Sequence, residues 1–204
     1  LLMAGWNGQA NFYDPMCGSG TILIEAALIA RNIPPGIFRK QFAFEKWLDF
    51  DEELWSDIYN DDSSEREFEH TIYGSDASFY AVQQAQKNIQ SAGLQRDIQI
   101  RQIRIEELRN EDTNATKDAL VMLNPPYGER ISVEDITNLY SMIGDRFKSF
   151  GDGKTAWLIT SDFRAMKSIG LKTSRKIQLY NGALECRFLK FELYDGSKKA
   201  KYND

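Results

Sequence analysis

The sequence predicts an α/β fold built on one doubly wound, mostly parallel sheet with an antiparallel strand at its end. Three observations carry this. Segments of strand and helix pattern alternate along most of the 204 residues. Ala119-Leu120-Val121-Met122-Leu123 is a continuous apolar run, as expected of a strand covered on both faces. Finally, Lys176 to Tyr180 and Leu184 to Leu193 read as strands around Asn181-Gly182, a dipeptide suited to a tight hairpin turn.

In chain order, Leu1 to Trp6 reads as the end of a helix with Gly5 near its C-cap, and predicts a further segment upstream. Asn11 to Asp14 is a short strand running into Pro15-Met16-Cys17-Gly18-Ser19-Gly20, and Thr21 to Arg31 is a helix apolar on nearly every side. Asn32 to Gly36, with two prolines, stops that helix. From there to about His70 the chain mixes aromatics (Phe42, Phe44, Trp47, Phe50, Trp55) with acidic residues, an insertion at about 33–70 with its own helix from Asp51. Thr71 to Asp76 is a second strand. The following helix shares Phe79, Val82, Ala85 and Ile89 on one face and closes at Gly93. Ile98 to Ile103 alternates as a third strand. After the apolar fourth strand, Ile136, Leu139, Tyr140, Ile143 and Phe147 mark an amphipathic helix, and Thr155 to Thr160 a fifth strand. These elements form a single domain.

Composition narrows the function. Cys17 and Cys186 stand apart without zinc-ligand spacing, so neither a disulfide framework nor a metal site is expected, which fits a reducing cytoplasm. No apolar run approaches the roughly 20 residues that span a bilayer. The net charge is −5, and no basic face stands out; a protein gripping nucleic acid unaided would carry one, so weak RNA binding by these residues alone is expected.

Two segments carry chemistry. Asp14, Pro15, Met16, Cys17, Gly18, Ser19 and Gly20 follow the first strand at its carboxyl end, where open α/β sheets place ligands and where glycine lets backbone approach them. The turn lacks the glycine spacing of a dinucleotide site and the lysine of a phosphate loop. It also reads simply as a tight strand-to-helix turn. Asp76 ends the second strand, placed to accept hydrogen bonds from ribose hydroxyls or to cap the next helix. In Asn124-Pro125-Pro126-Tyr127 two prolines forbid strand continuation and freeze a turn beside an amide and an aromatic ring. Such a turn suits methylation of an exocyclic amine. The Asn124 oxygen and the Pro125 carbonyl would accept the two amine protons, and Tyr127 would stack on the base.

These motifs resemble those of a known family. Asp14 to Thr21 and Asn124-Pro125-Pro126-Tyr127-Gly128-Glu129-Arg130 look like the cofactor and catalytic motifs of the THUMP-associated amino-methyltransferases. Within that group the chain most resembles the bacterial large-subunit ribosomal RNA guanine-N2 methyltransferases, often labelled N6-adenine-specific DNA methylases. Gly74-Ser75-Asp76 and Asn181 to Cys186 match as well, so the likeness covers nearly the whole chain. The resemblance implies a class I, Rossmann-like fold with a seven-stranded sheet. It implies S-adenosyl-L-methionine bound by Asp14 to Gly20 and Asp76, with Asn124 bordering it, and catalysis at Asn124 to Tyr127. It further implies an upstream THUMP domain that grips ribosomal RNA. One position departs: the third strand runs on through Ile103-Arg104-Ile105-Glu106-Glu107-Leu108, and Arg104 stands where an aspartate near the adenine amine is common, which leaves Glu106 as the substitute. The competing readings are an N6-adenine methyltransferase of DNA, a tRNA guanine-N2 methyltransferase, a non-catalytic RNA-binding module and, against the glycine pattern, a dehydrogenase.

Overall fold

The computed structural model describes residues 1–109, 119–126, 132–151 and 153–194. Four parallel-facing strands are laid down first: β1 (Phe12–Asp14), β2 (Ile72–Asp76), β3 (Ile98–Gln102) and β4 (Leu120–Leu123). β5 (Thr155–Thr160) extends the parallel set, and β6 (Arg175–Asn181) with β7 (Leu184–Glu192) forms the hairpin. Helices α1 (Thr21–Arg31), α2 (Glu52–Tyr59), α3 (Phe79–Ser91) and α4 (Val133–Ser149) connect them. The sheet order is β3-β2-β1-β4-β5-β7-β6, with β7 antiparallel to both neighbours. The chain reverses its direction of travel between β1 and β4, and that switch point is where such sheets open a crevice at their carboxyl edge.

Both faces of the centre are covered, which is why β4 carries no polar alternation. Leu120 and Met122 join Phe12, Leu23 and Trp157 on the α1 side, while Val121 and Leu123 join Tyr140, Phe147 and Leu158 on the α4 side. The α3 face is narrower than its sequence suggests: Val82, Ala85 and Ile89 are buried, but Phe79 is exposed in the first turn. Among the described residues no helix is long and apolar enough to cross a membrane.

The segment before β1 ends in a short 3-10 turn, Leu2–Ala4, closed by Gly5 at φ 81° as its glycine predicts. The insertion builds a small aromatic core of its own. Phe42 and Phe44 stack at 5.3 Å, and Trp55 of α2 meets both edge-on at 5.2 and 4.8 Å. Asp51 caps α2, accepting the Leu54 N–H at 2.9 Å. Arg66 then straps the insertion to the rest, donating to the Ala30, Ile29 and Asn7 carbonyls at 2.6, 3.0 and 2.8 Å. Two of those carbonyls belong to the last turn of α1, where helix acceptors otherwise go unmet. Because α1 descends from the carboxyl edge and β2 begins at the amino edge, the insertion lies at the end of the sheet opposite the crevice.

Two elements differ from expectation. β3 stops at Gln102, and Ile105–Glu107 forms a 3-10 turn, so Arg104 and Glu106 are not strand residues. In the hairpin, Asn181 pairs with Leu184, and the two-residue loop is Gly182-Ala183 with Gly182 at φ 62°. A positive φ at the first loop position alone is the primed turn with glycine leading, which shifts the turn one residue past the Asn-Gly pattern.

Candidate active site

The crevice is assembled from three strand ends. β1 pairs in register with β4, Tyr13 opposite Val121, so Asp14 stands level with Met122. Asn124 lies two residues further along, roughly 7 Å past that level at the rise of an extended strand. On the other side β1 pairs with β2, Asp14 opposite Gly74, which sets Asp76 two residues beyond.

The glycine turn is held by bonds from β2. Ser75 O accepts the Cys17 N–H at 3.0 Å, and Gly20 N–H closes onto Cys17 O at 2.8 Å. The Asp76 carboxylate accepts from Gly18 N–H at 3.0 Å through one oxygen and from Ser78 N–H at 2.9 Å through the other. Ser78, not Asp76, caps α3 by accepting from Ala81 N–H. Asp76 is therefore the link between the turn and the head of α3. Gly18 and Gly20 sit at φ 54° and 84°, where L side chains are strained. A β-carbon at Gly18 would meet nothing within 4 Å, so that backbone faces open space beside the Asp76 carboxylate.

Asp14 is 1% exposed and accepts the Met16 N–H at 3.0 Å. Burial pushes its carboxyl up to about 7, the Met16 bond opposes this, and the nearby Asp76 charge adds to it. Burial likewise pushes the Cys17 thiol up, with Asp14 and Asp76 adding to it, so Cys17 stays a protonated packing residue with no nucleophilic role. Pro15 and Gly20 are buried, Met16 and Gly18 half-buried, and Ser19 exposed, its carbonyl accepting from the Asn88 amide at 2.9 Å.

At the end of β4, Asn124 and Pro126 are exposed and Pro125 is buried between them. Pro125 packs inward and leaves the amide facing outward. Asn124 also borders an apolar cleft of about 500 Å³ on the α1 side, walled by Ile22, Met122, Ile159 and Phe188 among others. Tyr127 and the residues through Arg130 in that motif lie outside the described residues. Glu106 is tied elsewhere: its carboxylate accepts from Arg104 at 2.5 Å, and backbone hydrogen bonding with help from Arg104 holds it below the usual range. Its turn follows β3, whose last residue Gln102 pairs with Asp76 of β2.

Sequence reasoning passed over three supports. Tyr13 OH meets Ser75 Oγ at 2.9 Å beneath the turn. Gly74 lets Leu23 of α1 press against β2; a β-carbon there would stand 2.3 Å from Leu23 Cδ1. Gly144 of α4 accommodates the Ile169 carbonyl, 1.9 Å from where a β-carbon would be. For the last two the sequence signal is a glycine inside a strand or helix pattern, a sign of close approach by a neighbour. Among the described residues no group of three or more His, Cys, Asp or Glu is placed to hold a metal ion.

A parallel sheet with one reversed strand near its edge, a glycine turn after β1 and an acidic end to β2 define the class I methyltransferase fold. The chain belongs to the UPF0020 family, described as RMKL-like, methyltransferase domain, whose model matches residues 1–190. It is 36% identical over 207 residues to the ribosomal RNA large subunit methyltransferase K/L of Shewanella sp. strain W3-18-1, covering 98% of this chain and 28% of that protein. The crystal structure of SMU.472 complexed with SAH aligns with a TM-score of 0.82 and 33% identity, over 96% of this chain and 51% of that one. A structure described as a predicted N6-adenine-specific DNA methylase from Listeria monocytogenes strain 4b F2365 aligns with a TM-score of 0.80 and 32% identity, over 96% and 49%. The chain thus spans about half the length of these solved chains and less of the Shewanella protein.

Proposed function

We propose that this domain transfers a methyl group from S-adenosyl-L-methionine to the exocyclic N2 amine of a guanine in large-subunit ribosomal RNA. The observation that carries the reading is Asn124-Pro125-Pro126 at the end of β4, one strand from Asp14 and the glycine turn, across the switch point. The relative named for large-subunit ribosomal RNA supports the substrate, and the likeness to a chain complexed with SAH supports the cofactor.

The cradle suits that cofactor. Two carboxylates and open glycine backbone, with no lysine in the turn, fit a cationic ligand with a ribose and disfavour a polyphosphate. When bound, the sulfonium supplies an activated methyl group. Asp76 holds the turn and offers its carboxylate to ribose hydroxyls, and Asp14 provides buried negative charge near the cation. Asn124 Oδ1 and the Pro125 carbonyl accept the amine protons, which turns the nitrogen lone pair out of the ring plane toward the methyl group. The product sheds its proton to solvent, so no strong general base is required. Tyr127 stacks on the base, and an RNA-gripping THUMP region belongs to the longer chain.

Adenine N6 presents the same chemistry, and the Listeria structure's description favours that second reading. Single-turnover methyl transfer to ribosomal RNA and to DNA, followed by mass spectrometry of the nucleosides, separates them: N2-methylguanosine supports the proposal, N6-methyladenine in DNA replaces it. Asn124→Ala should slow the step by about 100-fold or more, roughly 2.7 kcal/mol for one preorganised polar contact, with cofactor affinity kept. Transfer as fast as the parent's would leave the turn purely structural.

A further inference from the structure

The net charge of −5 conceals a segregation along the chain. Residues 33–70 hold eleven Asp and Glu against four Lys and Arg, whereas residues 153–194 hold eight Lys and Arg against three Asp and Glu. The acidic segment lies at the amino edge of the sheet, away from the crevice. The basic segment comprises β5, the turn after it and the β6–β7 hairpin, on the far side of β4 from the cofactor cradle.

Within that basic segment two large rings stand exposed at the carboxyl edge. Phe163, just past β5, is 36% exposed, and Tyr180 near the tip of β6 is 68% exposed. Arg187 lies between them, its guanidinium 5.0 Å from the centre of the Phe163 ring. The rest of the row is joined by hydrogen bonds and an ion pair. Arg187 pairs with Glu185 at 2.9 Å, and the Gln178 amide donates to Glu185 at 2.9 Å and to the Tyr180 oxygen at 3.0 Å. Strand register places these side chains on one face, because Thr160 pairs with Arg187, Gln178 with Arg187 and Tyr180 with Glu185. That is the α4 face, where Thr160 meets Tyr140 of α4.

The platform is fixed by its own turn. Asp162 accepts from the Arg164 and Ala165 N–H groups at 3.0 and 2.7 Å, and Thr160 Oγ1 accepts the Asp162 N–H at 2.9 Å. A cleft of about 390 Å³ opens between this turn and the first turns of α4, lined by Phe163, Arg164, Val133 and Thr137 among others. Val133 and Thr137 bring the head of α4 to that cleft. Arg187 is two strands from Asn124, about 10 Å between backbones at the usual strand spacing, with Arg187 on the α4 face and Asn124 bordering the α1-side cleft.

Exposed rings around an arginine, in the basic part of an otherwise acidic chain and next to the catalytic turn, match what unpaired bases stack on. We propose that Phe163, Arg187 and Tyr180 form a stacking subsite for the unpaired nucleotides that flank the target base in single-stranded RNA. The guanidinium covers one face of the Phe163 ring and leaves the other to a base. Stacking is indifferent to base identity, so the subsite holds the strand and leaves base choice to the Asn124 turn. This rests on the RNA-methylation reading.

Binding of a fluorescein-labelled single-stranded RNA by the 204-residue chain, read by anisotropy, tests it without requiring methyl transfer. Phe163→Ala and Tyr180→Ala should each weaken binding by about 5- to 100-fold, Phe163→Trp should hold it near the parent value, and Arg187→Gln, which removes the group holding one face of the Phe163 ring, should weaken it in the same direction. Cofactor affinity, measured calorimetrically, should not move. Alanine variants that bind this RNA as tightly as the parent overturn the subsite, even if the parent methylates RNA. Conversely, a parent that loses RNA binding on these substitutions yet methylates no RNA keeps the subsite and removes the methylation reading.

Discussion

Asp14 ties the cradle to the stability of the fold, and replacing it with asparagine makes that tie measurable. Burial raises its carboxyl from 3.8 to about 7, so the folded state holds a proton that the unfolded chain releases near pH 4. Below the unfolded value both states are protonated and nothing is lost. As pH rises between about 4 and 7 the folded state binds more protons, and stability falls by up to about 1.4 kcal/mol per pH unit before levelling off above 7. The rise from 3.8 to about 7 sets an upper bound of about 4 kcal/mol on this loss. Asp14→Asn keeps an oxygen for the Met16 N–H and removes the titration. Urea denaturation of both proteins from about pH 3.5 to 8 should show nearly equal stability at the acid end and a more stable variant at the alkaline end. Asp97, raised mainly by burial, and the lowered Leu1 amine titrate in both proteins and cancel in the difference. A difference that stays constant across the range would refute the burial argument. If the cradle takes a cationic cofactor, the parent's affinity for it should rise with pH up to about 7, and that rise should vanish in Asp14→Asn.

Asp76→Ala should weaken S-adenosyl-L-methionine binding by about 1.5 to 3 kcal/mol, the range for hydrogen bonds to a charged group, and calorimetric titration reads it directly. Unchanged affinity would take Asp76 out of the site. Gly74→Ala should cost about 1 to 3 kcal/mol of stability, because its β-carbon would stand 2.3 Å from Leu23 Cδ1 in a fully buried contact. Denaturation of Gly74→Ala, Leu23→Ala and the double variant should show the double costing less than the sum; strict additivity would mean that α1 does not bear on β2 there.

The fold was legible because its signals are local. The uninterrupted Ala119 to Leu123 run needs a strand covered on both faces, and the structure covers it with α1 and α4. Gly5 and Gly182 adopt the positive φ angles that their turns require. Errors came where a contact between distant segments decided the outcome. Phe79 shows the helical spacing of a buried residue, yet in the first turn of α3 it stands 53% exposed. Arg104 and Glu106 continue the pattern of β3, but past Gln102 the chain turns into a 3-10 helix and the two side chains pair with each other.

The site divides the same way. The placement of Asp14, Gly18, Asp76 and Asn124 at one edge could be read directly, because each ends or follows a strand and a parallel sheet must bring adjacent strand ends together. Phe163, Tyr180 and Arg187 could not, since their meeting depends on the antiparallel pairing of β7 with both β5 and β6. Net charge bears on the proposed subsite only indirectly. It sums over the whole chain, whereas a phosphate responds to charges within about a Debye length, roughly 10 Å at 0.1 M salt. Among the basic residues of 153–194, Arg187 stands at the carboxyl edge opposite Thr160, whereas Lys154, Arg175, Lys176 and Lys190 lie toward the amino ends of β5 and β6, so the local charge beside the crevice is set by few groups. An acidic chain of this topology can still set an arginine among exposed rings beside the crevice, as Arg187 lies against Phe163, and it is that local grouping, not the net charge, that the RNA-binding test reads.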